Sequence, residues 1–205
     1  MLFDWDGTLV DSAETSFRTY VRLFREMGIA FGREEFARTY SPNWHRTYVA
    51  LGLPGERWEA ADAAWLRFYS EETNALLPGV AAALERLHGA GHAQGIVSSG
   101  ERERVTREMH DLEVHHFFTA VVCGGDTAMR KPHPEPLLSA LTRMGITAAE
   151  AAYVGDSPED VEMARAAGVY AVGIPGGFPN REALRAAAPE LMADDLASAV
   201  AHLLA

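Results

Sequence analysis

From Ser12 to Met27 apolar side chains recur at helical spacing: Phe17, Tyr20, Val21, Phe24 and Met27 share one face, and Gly28 ends the run. Further helical stretches are predicted at 33–40, 43–51 and 56–76, the last with Trp58, Ala61, Trp65, Phe68 and Tyr69 on one side. No stretch between 12 and 77 has the pattern of a strand. At "LLPGV" (76–80) the rhythm changes, with Pro78-Gly79 as punctuation. Short apolar runs then alternate with helical ones. The runs at 93–97, 118–123, 151–155 and 169–173 read as strands, and 80–90, 101–110, 134–144 and 158–167 as helices. Such alternation builds βαβ units and a parallel sheet. Met1–Phe3 reads as the end of a buried strand; it is short, as if its start were clipped. The pattern therefore predicts an α/β core with a parallel sheet, from 1–11 and 78–205, with an all-helical cap of 12–77 inserted after the first strand.

Open α/β sheets bind ligands beyond the carboxyl ends of their strands. Asp4 and Asp6 follow the first strand, and Ser98, Ser99 and Gly100 follow "GIV". Lys131, in "RKPHPEP", precedes the helix after the third strand. Asp156 follows "AAYVG", with Asp160 one helical turn on. Taken singly, each has an ordinary explanation, as a helix cap, a turn or a solvated charge. Taken together, they bring carboxylates, a hydroxyl and an ammonium to one sheet edge.

Composition narrows the chemistry. The chain has 205 residues, 48% of them hydrophobic, and a net charge of −11. That balance argues against nucleic acid or an anionic membrane as a partner. A single cysteine, Cys123, rules out an internal disulfide framework and fits a reducing compartment; with no signal peptide and no long apolar run, the expected location is cytoplasmic. Of the 18 Lys and Arg side chains only Lys131 is a lysine. Arginine and lysine are not interchangeable, so this survivor is a candidate for a specific task.

Phosphoryl transfer through a carboxylate fits this set. Asp4 would attack phosphorus, and Asp6 would protonate the leaving oxygen. Asp156 would hold Mg2+ with Asp4, because a hard cation suits carboxylates and phosphate. Lys131 and the Ser98-Ser99 turn would bind phosphoryl oxygens, and Gly7 would let backbone amides approach them.

"DWDGT" (4–8), Ser98, Lys131 in "RKPHPEP" and "VGDSPED" (154–160) resemble the four motifs of the haloacid dehalogenase superfamily, in order and at matching separations. The resemblance spans essentially the whole chain, is closest to phosphoglycolate phosphatase-like enzymes, and implies a Rossmann-like parallel sheet with an inserted helical cap. It implies that Asp4 is nucleophile and metal ligand, that Asp6 is acid/base and lends its backbone carbonyl to Mg2+, and that Asp156 is a ligand supported by Asp160. The namesake dehalogenases lack the second aspartate, which is kept here as Asp6. Phosphonoacetaldehyde hydrolases need a cap lysine, and this cap has none. β-Phosphoglucomutases carry a histidine shortly after the first motif, where this chain has Glu14 to Phe17. The expectation is a magnesium-dependent phosphomonoester phosphatase, monomer or weak dimer, acting on a small phosphorylated metabolite. A phosphomutase, a pyrophosphatase or a non-catalytic phosphate-binding module are the alternatives. An EF-hand reading of "DWDG" fails on its glycine spacing. For the leaving group, the expected readers are Asn43, His45 and Arg46 in "TYSPNWHRTY" (39–48) and Arg18 on the first cap helix.

Overall fold

The computed structural model describes all residues, 1–205. Six parallel strands form one sheet: β1 (Leu2–Phe3), β2 (Gln94–Glu101), β3 (Phe118–Gly124), β4 (Ala152–Gly155), β5 (Tyr170–Gly173) and β6 (Leu191–Met192). Their spatial order is β3-β2-β1-β4-β5-β6. β1 is central. Leu2 pairs with Gly95 and Tyr153, and Phe3 with Ile96 and Val154. Both β1 side chains are fully buried, as expected where helices cover both faces of a sheet. The order reverses between β1 and β4, and the carboxyl ends of those strands deliver Asp4 and Asp156.

One sheet face packs on α5 (Val80–Gly89), α6 (Arg102–Asp111) and α10 (Leu196–Leu203) through Phe3, Leu84, Ile96, Val105 and Val200. The opposite face packs on α7 (Glu135–Met144), α8 (Pro158–Ala166) and α9 (Arg181–Ala186) through Leu2, Val97, Leu137, Tyr153, Val161 and Leu184. α8 starts at a capping box: Ser157 Oγ accepts from the Asp160 N–H, and Asp160 Oδ2 accepts from the Ser157 N–H at 3.0 Å.

Between β1 and α5 lie four helices: α1 (Ala13–Glu26), α2 (Arg33–Thr39), α3 (Trp44–Ala50) and α4 (Trp58–Tyr69). They have their own aromatic core of Tyr20, Phe24, Phe36, Tyr48 and Leu53, and Phe178 from the segment after β5 joins it. The helix expected over 56–76 ends earlier, at Tyr69. Asn74 instead donates to Tyr69 Oη at 2.7 Å and to Glu108 Oε1 at 3.0 Å, and Leu76 bridges Val10, so the chain returns to the core extended. β6, α9 and α10 were not anticipated. β6 is two residues long, too short to carry a period.

Candidate active site

The four motifs converge. Asp4 stands directly after β1 and is 6% exposed. Lys131 Nζ lies 2.8 Å from Asp4 Oδ1 and 2.8 Å from Asp160 Oδ1, and donates to Tyr153 Oη at 2.7 Å. Tyr153 Oη passes its own proton to the Val97 carbonyl at 2.8 Å. The ammonium thus has three oxygen partners, the full donor capacity of a lysine. Burial alone would lower its pKa, but Asp160 and Asp4 hold it above the ordinary lysine value. An arginine fork would not fill this compact three-oxygen seat.

Asp4, Asp156 and Asp160 bring carboxylate oxygens within 4.8 Å of one another. Three buried carboxylates share one ammonium, so negative charge is in excess. Burial pushes the Asp4 carboxyl up to about 7 despite Lys131. Burial, with Asp160 and Asp4 nearby, raises Asp156 well above the carboxylate range. The two acids differ in what is left unfilled. Asp160 is partnered on both oxygens: its Oδ1 accepts from Lys131, and its Oδ2 from the Ser157 N–H and hydroxyl. Asp156 Oδ2 is buried with no hydrogen-bond partner. A side chain on Gly7 or Gly176 would come within 2.5 Å of that oxygen, so two glycines keep the space beside it open. Gly7 also has φ +75°, a conformation that favours glycine. An orphaned carboxylate oxygen in a glycine-lined recess fits a hard divalent cation. Asp4 and Asp156 are the residues able to hold it, with Asp160 fixing the lysine and the helix start instead.

Asp6 faces a different partner. Arg104 of α6 donates Nη2 to Asp6 Oδ2 at 2.6 Å and Nη1 to Asp6 Oδ1 at 3.1 Å. Nη1 also donates to Glu108 Oε2 at 3.0 Å, and Glu108 accepts from Trp5 Nε1 at 2.7 Å. Burial would raise the Asp6 carboxyl, but Arg104 outweighs it and holds it below its ordinary value. Arg104 was not expected at the site. It lies in "ERERV", which reads as a solvated charged helix; the one available signal is the i,i+4 spacing to Glu108 beside an apolar Val105.

Ser98 is 5% exposed, and its Oγ accepts from the Gly100 N–H at 2.9 Å. Ser98, Ser99 and Gly100 line a cavity of about 260 Å3 together with Asp4, Asp6 and Arg104. Its other walls are Tyr40, Ser41, Pro42, Trp44, Tyr48, Asp62 and Trp65 from the helical insert, and Arg130 and Phe178 from the core. The four residues expected to read the leaving group are not among them. Arg18 pairs with Glu72 at 2.6 Å on the surface. Arg46 is 59% exposed and turns to Glu159 of α8. His45 stacks on Trp58 with ring centroids 4.5 Å apart, and Asn43 sits at the start of α3. The stretch 39–48 does face the site, but through Tyr40, Ser41, Pro42, Trp44 and Tyr48.

Known proteins share the sequence pattern and the fold. Residues 1–174 match the family model of haloacid dehalogenase-like hydrolases. The phosphoglycolate phosphatase of Salmonella paratyphi A (strain ATCC 9150 / SARB42) is 30% identical over 219 residues, covering 94% of this chain and 87% of the relative. A hydrolase structure from Pseudomonas syringae shares the fold at a TM-score of 0.87 and 23% identity, covering 98% of this chain and 96% of that one. CbbY from Rhodobacter sphaeroides, solved in complex with phosphate, does so at 0.81 and 22% identity, covering 96% and 93%. No helix is long and apolar enough to cross a membrane. With sequence, fold and the meeting of four motifs at one sheet edge in agreement, the chain belongs to the haloacid dehalogenase-like hydrolases, in their phosphoglycolate phosphatase-like branch, and is a phosphatase.

Proposed function

We propose that this phosphatase hydrolyses small phosphomonoesters with magnesium, through a phosphoryl group carried transiently on Asp4. The observation that carries the reading is the meeting of Asp4, the unpartnered Asp156 oxygen and the saturated Lys131 within one buried cluster. Asp4 is the nucleophile: it stands at the end of β1, lines the cavity, and is aligned by the Trp5 N–H at 2.8 Å. Asp4 and Asp156 would hold the magnesium ion, which would offset charge on the phosphoryl oxygens. Lys131, on giving up one of its three oxygen partners, and the Ser98-Ser99 turn bind those oxygens. Asp6 hands a proton to the leaving oxygen and later takes one from the attacking water. Arg104 holds both Asp6 oxygens and so fixes the direction of that carboxylate; it must yield an oxygen as the proton moves. Residues 12–77 act as a cap that excludes water and carries the walls around the leaving group.

Phosphate release with magnesium, measured across a phosphomonoester panel with Asp4→Asn as the blank, tests this. Turnover that requires both the metal and Asp4 is expected. Turnover that survives either loss contradicts it.

A further inference from the structure

The cavity over Asp4 and Asp6 has more wall than a phosphoryl group needs, and that wall is aromatic. Tyr20, Tyr40, Trp44, Tyr48, Trp65 and Phe178 contribute to it. These rings are fixed in advance. Asp62 accepts from Trp44 Nε1 at 2.8 Å and from Tyr48 Oη at 3.0 Å, and its second oxygen lies 3.4 Å from His45 Nε2. Tyr40 stacks on Phe178 at 12° with centroids 4.4 Å apart, and Trp65 on Tyr69 at 22° and 4.6 Å. Pinned side chains lose little freedom when a ligand enters.

The charge balance points the same way. The lining acids are Asp4, Asp6, Asp62 and Glu101, and the lining bases are Arg104 and Arg130. The Arg104 guanidinium is engaged by Asp6 and Glu108. The Arg130 guanidinium lies over the Trp44 ring, 4.8 Å from its centre. A carboxylate or second phosphate on the leaving group would meet one cation without a carboxylate partner, Arg130 over the Trp44 ring, against two carboxylates beyond Asp4 and Asp6, namely Asp62 and Glu101. An uncharged flat group would meet aromatic side chains. Trp65 Nε1, buried without a partner, is a donor left for a hydroxyl or carbonyl of such a group. The volume, about 260 Å3, lies just under the ~300–1,000 Å3 usual for drug-sized ligands, and accommodates one ring beyond the phosphoryl group.

We propose that the site prefers phosphomonoesters whose leaving group is uncharged and carries a flat ring, an aryl alcohol or a nucleoside, over short leaving groups bearing a carboxylate or second phosphate. This rests on the phosphatase reading above. The step is hydrolysis: the bond from phosphorus to the ester oxygen breaks, water supplies the replacing oxygen, and the departing alcohol takes a proton.

Two measurements on the magnesium-loaded protein test it. The first is equilibrium binding, by calorimetry, of phenylphosphonate and phosphonoacetate, neither of which turns over. The ring compound should bind roughly tenfold tighter or more. The second is the ratio of kcat/KM for phenyl phosphate to that for phosphoglycolate, with a nucleoside monophosphate to separate a bare ring from one reached through a sugar. Trp44→Leu should lower the ratio roughly tenfold, and Trp44→Phe, which keeps a ring, should restore most of it. Equal or tighter binding of phosphonoacetate overturns the ring preference, whatever the turnover. Tight ring binding with no phosphate released from any compound instead overturns the phosphatase reading.

Discussion

Asp156 shows how one unfilled valence organises a site. Its Oδ2 is buried without a donor, beside two other buried carboxylates and one lysine. Without a cation this cluster works against folding. Asp4 has an ordinary value of 3.8 and is raised to about 7, so the folded state holds a proton there that the unfolded chain gives up. Stability of the metal-free protein should therefore fall as pH rises from about 4 to about 7, and magnesium should reverse the loss at pH 7. Thermal unfolding with chelator and with magnesium across that range checks it; a metal-free stability that rises through the window contradicts it. Asp156→Asn removes a carboxyl that burial already keeps from ionising. The metal-free variant should be as stable as the parent or more so, with the magnesium-induced rise in Tm gone. Arg104→Met should have the opposite sign. It leaves Asp6 and Glu108 facing each other in a buried setting, a change that costs about 3 kcal/mol or more in urea denaturation.

At the scale of elements, the site is a set of strand ends made by backbone turns. Gly7 combines φ +75° with a Cβ position 2.5 Å from Asp156 Oδ2. Gly7→Ala should abolish magnesium binding, measured by calorimetry, while the far-ultraviolet circular dichroism stays that of the parent. Ser157 caps α8 and hydrogen-bonds Asp160 at 2.7 Å. Ser157→Ala should cost about 1 kcal/mol through the cap, and should weaken phosphate binding as Asp160 loses its grip on Lys131. This scale was the most readable from sequence. Asp4, Ser98 and Asp156 each follow an apolar run, and a run's end fixes where its next side chain goes in a parallel sheet. The helical insert was readable as helices but not as faces. Arg18, His45 and Arg46 attracted attention by their charge, yet charge says nothing about which way a helix turns. The walls come from aromatic residues such as Tyr40, Trp44, Tyr48 and Trp65, which read equally well as core. Arg104 was hidden for the converse reason: one arginine in a charged run is buried because Asp6 and Tyr69, distant in sequence, converge on its guanidinium. The end of α4 was missed because Asn74 is committed to Tyr69 and Glu108, a tertiary contact no local pattern reports.

Across the whole molecule, the helical insert is seated on the core at two places, one through Asn74, Tyr69 and Trp65 at Glu108 and Arg104, the other around Phe178. Tyr40 and Phe36 pack on Phe178, Ser41 and Arg46 reach Glu159, and Arg130 lies over Trp44. Phe178 is the main apolar link, since it comes from the sheet side yet belongs to the insert's aromatic core. Phe178→Ala should lower stability by about 3 kcal/mol. Amide exchange should rise more in α2 and α3 than in β2 or β4, and equal loss in both would contradict so local a seat. The net charge of −11 also belongs to this scale. An anionic substrate approaches against the overall field, and on the proposed mechanism the positive charge it meets is Lys131 with a magnesium ion beside it.

The most direct measurement is acid-quenching the enzyme during turnover of a radiolabelled phosphomonoester, with magnesium present, followed by isolating the denatured protein. Label should remain on the chain, map to the peptide containing Asp4, and be absent from Asp4→Asn and from chelator-treated enzyme. Turnover with no label retained, or label retained by Asp4→Asn, would contradict the central role given to Asp4.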